Sequence, residues 1–191
     1  MEIAEGQVLS EFVKDSHLLE VDNVRKITQG IMKALAYMHA RHITHRDIKP
    51  DNIFLKHKND FSSVIIGDFG LSKQSNLRMK TPCGTIQYCA PELLLEPCRY
   101  SNAVDIWSAG LVLIQLLVGF HPFVALKSFD FDKVAKNPKK ANLILKFKLE
   151  DMRNYSDIPE PPRQLLAGMM VVDPSKRVTA KVASKCPFLA R

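Results

Sequence analysis

The stretch His45-Arg46-Asp47-Ile48-Lys49-Pro50-Asp51-Asn52 crowds two carboxylates, two fixed cations, an imidazole and a carboxamide into eight positions. Upstream of it, Val24, Ile27, Ile31, Ala34, Leu35 and Met38 recur at three- and four-residue steps. That spacing predicts an amphipathic helix over 21–41, with Asp22 as its N-cap. Downstream come two strand-sized apolar runs, Ile53-Phe54-Leu55 and Val64-Ile65-Ile66, with a polar turn over 56–63 between them. The charged octet is therefore a loop held between a helix and a strand.

Each polar group in that loop has a chemistry. An aspartate held in a loop can take a proton from a substrate hydroxyl. Lys49, two residues after Asp47, lies on the same side of an extended chain and can neutralise charge on a transferred group. The oxygen of Asn52 is a hard donor suited to magnesium. Gly67-Asp68-Phe69-Gly70 then places a second carboxylate between glycines just after a strand. A carboxylate and an amide oxygen converging on one point suit metal-bound phosphate. These residues together suggest magnesium-assisted transfer of a charged group to a hydroxyl.

The rest of the chain reads as mainly α. Residues 68–92 have mixed polarity and few apolar pairs, which describes a long irregular segment of the kind that carries function. From Ser101 onward, Val104, Trp107, Leu111, Val112, Leu116 and Leu117 leave little polar surface, so this helix is expected to be central and buried. A basic loop over 127–140 and a short helix over 141–150 follow. Pro159, Pro161 and Pro162 mark an extended break, ahead of helices over 163–172 and 179–185.

Bulk composition excludes several classes. With 191 residues, 46% of them apolar, the chain can bury one sizeable core. The net charge of +7 permits anionic partners, but the basic residues are scattered. Lys133, Lys136, Lys139 and Lys140 form the one local cluster, without aromatic interleaving, so no specific nucleic-acid binding is expected. The four cysteines show no CxxC spacing, and reduced thiols in the cytoplasm or nucleus are the expectation. No basic stretch followed by an apolar run opens the chain, so no signal peptide is expected. The most apolar window, 109–123, is interrupted by Gln115, Gly119 and His121, and no membrane partner is expected.

His45-Arg46-Asp47 with Asn52, then Asp68-Phe69-Gly70, then Ala90-Pro91-Glu92 stand in the order of the protein kinase signatures. Asp105-Ile106-Trp107-Ser108-Ala109-Gly110 and Arg177 follow. In this set the chain resembles the eukaryotic-type serine/threonine protein kinases. Cys83-Gly84-Thr85 with Gln87-Tyr88 is most similar to the calcium/calmodulin-dependent and checkpoint group. The fold implied is a mainly α, kinase-like C-terminal lobe with short strands around the catalytic loop. The resemblance covers nearly the whole chain, with residues 68–92 as its activation segment.

The resemblance implies roles. Asp47 would be the catalytic base, Lys49 the cation near the transferred phosphate, and Asn52 and Asp68 the magnesium ligands. Thr85 would contact both Asp47 and Lys49. His45 and Phe69 would pack beneath the site. Glu92 and Arg177 would form a buried ion pair, and Asp105 would brace the catalytic loop. Arg46, with Lys73, would receive a phosphate on Thr81 added by an upstream activating kinase. ATP and magnesium would be the cofactors, and a protein the substrate.

The opening residues Met1 to Gly6 resemble the kinase hinge, with Glu2 and Ala4 at the adenine of ATP. The N-terminal lobe, with its glycine-rich loop and strand lysine, is then absent from these residues. A start chosen at an internal methionine would give such a chain, and a genuine short form is the alternative. Little or no phosphotransfer by the chain alone is therefore expected, and a non-catalytic kinase-like binding module is the second reading. Val8 stands near where many kinases carry an acid for the ribose, and Gln115 where kinases favouring basic residues upstream of the target carry one.

Overall fold

The structure, a computed structural model, describes residues 6–14, 18–74, 85–94, 100–121 and 158–190. Within these, five helices and two small antiparallel strand pairs surround one core. In chain order they are α1 (Leu9–Lys14), α2 (Val21–Ala40), β1 (Ile43–Thr44), β2 (Ile53–Leu55), β3 (Val64–Ile66), β4 (Lys73–Gln74), α3 (Ala103–Val118), α4 (Glu160–Met169) and α5 (Ala180–Ala183). The expected helix over 141–150 and the basic loop over 127–140 lie outside the described residues.

Helix α3 is the centre. Every residue from Val104 to Leu116 is buried, and Trp107 and Leu111 are fully inaccessible. An apolar run with no polar face can only be stable when covered on all sides, here by α2 and α4. Gly119, at φ 79°, ends α3, and its N–H donates to the Gln115 carbonyl at 2.9 Å. That left-handed conformation carries no Cβ penalty for glycine.

Helix α2 presents Val24, Ile27, Ile31, Leu35 and Met38 to the core, the face its spacing predicts. It also comes close to β3, because Gly30 carries no side chain there. A Cβ at Gly30 would stand 2.6 Å from the Val64 Cβ. Strands β2 and β3 pair in the register Ile53↔Ile66, Phe54↔Ile65 and Leu55↔Val64. Residues 7 and 8 run beside β2, with the Leu55 N–H donating to the Gln7 carbonyl at 2.9 Å and Val8 bridging Phe54.

Three expectations are corrected. Asp22 does not cap α2: Glu20 occupies the cap position without a side-chain bond, and Asp22 sits in the first turn. There its carboxylate pairs with Arg25 and Lys26, each at 2.7 Å, and favours the positive end of the helix. Pro161 and Pro162 do not extend the chain but open α4, which starts at Glu160. The first turn of a helix has no internal partner for its N–H groups, so proline costs nothing there. The irregular segment holds more order than its composition suggests, since β4 pairs with β1 as Ile43↔Gln74 and Thr44↔Lys73.

Among the described residues no helix is long and apolar enough to cross a membrane.

Candidate active site

The loop between β1 and β2 is shaped by a buried carboxylate on α3. Asp105 is fully buried, and its Oδ2 accepts the His45 N–H at 2.9 Å. Its Oδ1 accepts the Arg46 N–H, also at 2.9 Å. His39, near the end of α2, reaches the same Oδ2 through Nε2 at 2.9 Å. A side chain with this many donors fixes the backbone that supplies them. Arg46 is held at φ 74°, a left-handed conformation that costs a non-glycine residue about 1–2 kcal/mol. The two bonds to the backbone of His45 and Arg46 keep that conformation in place.

His45 is fully buried and links this loop to the strand that precedes Asp68. Its Nε2–H donates to the Gly67 carbonyl at 2.9 Å, and its Nδ1 accepts the Asp47 N–H at 3.4 Å. Those two bonds require the neutral tautomer with the proton on Nε2. The strand register adds a further link, as the Gly67 N–H donates to the Asn52 carbonyl at 2.9 Å. Asn52 and Asp68 thus stand on adjacent strand ends.

Asp47, Lys49 and Thr85 form a closed triangle. The Asp47 Oδ1 accepts both the Thr85 N–H and its hydroxyl, each at 2.8 Å. Lys49 Nζ stands 2.9 Å from Asp47 Oδ2 and donates to Thr85 Oγ1 at 2.8 Å. Asn52 completes the set, its Nδ2 donating to the Asp47 carbonyl at 2.8 Å and to Oδ2 at 3.0 Å. Burial raises the Asp47 pKa, but the bonds from Lys49 and Thr85 outweigh it and hold the carboxyl below the usual range. Asp47 is therefore an anion with fixed direction, suited to accept a proton from a hydroxyl that becomes acidic as it reacts.

Asn52 and Asp68 differ in setting. Asn52 is buried and spends its amide N–H groups on Asp47, which leaves its oxygen for another partner. Asp68 is exposed at φ 56°, and its Oδ1 accepts a 3.3 Å bond from the Gly70 N–H. A carboxylate and an amide oxygen are the hard donors magnesium takes, with substrate phosphates and water filling its remaining positions. The donor chemistry at this edge therefore fits the ion. Phe69 meets the His45 ring edge-on at 5.1 Å between centroids. It is nonetheless 51% exposed, so only His45 is enclosed as expected.

Arg46 sends its Nε to the Leu71 carbonyl and its Nη1 to the Tyr100 hydroxyl, the latter at 3.0 Å. Lys73 is exposed on β4, whose pairing with β1 sets it beside Thr44. Among the described residues no carboxylate pairs with either cation. Thr81, Glu2 and Ala4 lie outside the described residues.

Glu92 and Arg177 form a buried two-bond pair, Nη1 to Oε1 at 2.7 Å and Nη2 to Oε2 at 3.0 Å. Arg177 also donates to the carbonyls of Val171 at 3.0 Å and Ala103 at 2.8 Å, with its guanidinium 5.2 Å from the centre of the Trp107 ring. Val8 is a bridge partner of Phe54 and offers no acid. Gln115 is buried, its Oε1 accepting the Tyr88 hydroxyl at 2.8 Å. Sequence reasoning missed the parts of His39, Tyr100 and Tyr88. His39 and Tyr100 lie in no motif, Tyr88 is read only as part of one, and each acts through a partner distant in the chain.

A carboxylate oriented by a lysine and a threonine, beside an amide and carboxylate pair on adjacent strand ends, is the arrangement of a protein kinase catalytic loop. The protein kinase domain family model matches residues 1–189. The chain belongs to that family, on its eukaryotic-type serine/threonine side. It is similar to a probable myosin light chain kinase of Dictyostelium discoideum, 34% identical over 99% of this chain and 59% of the relative. Myosin light chain kinase A of the same organism is 35% identical over 96% of this chain and 60% of its own length. A probable serine/threonine-protein kinase, fhkE, is 35% identical over 96% of this chain but 25% of its own length. The chain thus spans about 60% or less of the curated relatives it matches.

Proposed function

We propose that this site transfers the γ-phosphate of ATP to serine or threonine hydroxyls of a protein, and that the chain supplies the C-terminal, catalytic lobe. The observation that carries the reading is the Asp47–Lys49–Thr85 triangle. Asp47 orients the substrate hydroxyl and takes its proton as the oxygen attacks phosphorus. Lys49 offsets the charge on the moving phosphoryl group. Asn52 and Asp68 would hold magnesium, which neutralises phosphate charge when bound. Lys49 bonded to Thr85 supports the serine/threonine class. Arg46 and Lys73, without a carboxylate among the described residues, are available to a phosphate on Thr81, and Thr81→Ala should then lower the activity of the complete protein.

Kinase catalysis is mostly positioning and charge neutralisation, and part of both comes from a glycine-rich loop and a strand lysine. This sequence contains neither, so turnover by these residues alone should fall far below the roughly 1–100 s⁻¹ of kinases. The test is transfer of labelled phosphate from Mg-ATP to myosin light chain, the substrate class in two relatives' names, alongside thermal shift with Mg-ATP. Slow transfer that Asp47→Ala abolishes, with the ATP-induced shift retained, supports the reading. No ATP-induced shift and no Asp47-dependent transfer would favour a non-catalytic binding module instead.

A further inference from the structure

Away from the active site, α4 and α5 leave an apolar groove between them of about 500 Å³. Pro161, Leu165 and Gly168 form one wall, and Val178, Val182 and Ala183 the other. Val182 is 60% exposed, a large apolar side chain turned to water beside a groove that nothing among the described residues fills. The walls are fixed to each other, because the Val178 N–H donates to the Gly168 carbonyl at 3.0 Å. The groove is therefore preformed, which lowers the ordering cost of a ligand. From Pro161 to Gly168 the helix rises about 10 Å, enough for about three extended residues or two turns of helix.

Its charge is one-sided. Lys181 and Lys185 line it and are both exposed, and no carboxylate is among its lining residues. Among the described residues neither lysine has an acidic partner. Cations left unpaired beside an apolar trough suit a ligand that carries apolar anchors and negative charge together. An extended or helical peptide provides both at this length.

We propose that the α4–α5 groove is a docking site for a short acidic, apolar-anchored peptide segment of a partner protein. It is separate from the catalytic loop and does not depend on phosphotransfer. Side chains of the peptide fill the trough beside Leu165 and Val182, and its carboxylates meet Lys181 and Lys185.

The test is selection of hexapeptides from a random phage-displayed library on the full chain. Recovered sequences are made with fluorescein and measured by anisotropy. The expected consensus joins two or more apolar residues to aspartate or glutamate. Binding should weaken about tenfold in the Lys181→Glu/Lys185→Glu double variant and with added salt, and be lost in Val182→Asp. All three positions are exposed, so the variants should melt like the parent, which circular dichroism checks. A consensus without acids, binding indifferent to both variants, or no recovered binder overturns the proposal. So does dimerisation that Val182→Asp abolishes, or binding only to phosphatidylglycerol vesicles, since either assigns the groove another occupant.

Discussion

Asp105 and Asp68 are the same residue type in two contrasting settings near the catalytic loop. Asp105 is fully buried and accepts bonds from His39, His45 and Arg46. Asp68 is exposed and, among the described residues, accepts a single long bond from Gly70. Beneath the loop, then, polar capacity is spent inside the protein, as burial demands. On the open edge it is left over, and leftover capacity is what a metal-bound phosphate needs. The difference separates a carboxylate that shapes the loop from one that, in the proposed function, would act at the site.

The strongest way to break the braced side is Arg177→Ala. It removes both bonds to the buried Glu92 carboxylate along with those to the Val171 and Ala103 carbonyls, and urea unfolding should register a loss of about 3–5 kcal/mol. Next comes acid. Burial pushes the His121 imidazole down to about 4 from an ordinary 6.5, so the unfolded chain takes up a proton that the folded one refuses. Stability should be full above pH 6.5 and fall by up to about 3 kcal/mol as pH drops towards 4. Unfolding across that range should lose much of its slope in His121→Phe, and an unchanged slope would rule out His121 as its source. On the open edge, Asp68→Asn should alter stability by only about 0.5 kcal/mol or less, since it removes no buried bond. A large loss there would erase the distinction between the two aspartates.

The sequence discloses these two sides unequally. Central helix, strand pair and catalytic loop are legible because periodicity and motif report local requirements. Pro161 and Pro162 mislead because a proline pair breaks a helix interior but suits a first turn, and the order of residues alone does not separate the two cases. The β1–β4 pairing is invisible because strands of two residues carry no period. Phe69 is expected to be enclosed, yet it stays half in water among the described residues, as burial depends on what else packs there. Tyr100 holding Arg46 and Tyr88 holding Gln115 join positions 54 and 27 residues apart, and no spacing rule reaches that far.

The bonds to Asp105 also carry a statement about time. They join His39, His45 and Arg46 to a residue between 59 and 66 positions later in the chain. Closing a loop of that size costs chain entropy before any contact repays it. The left-handed turn at Arg46 therefore lacks the backbone bonds from Asp105 until α3 has docked against α2. A partly folded chain can have its helices and still lack an organised catalytic loop, so competence arrives only once the core has closed.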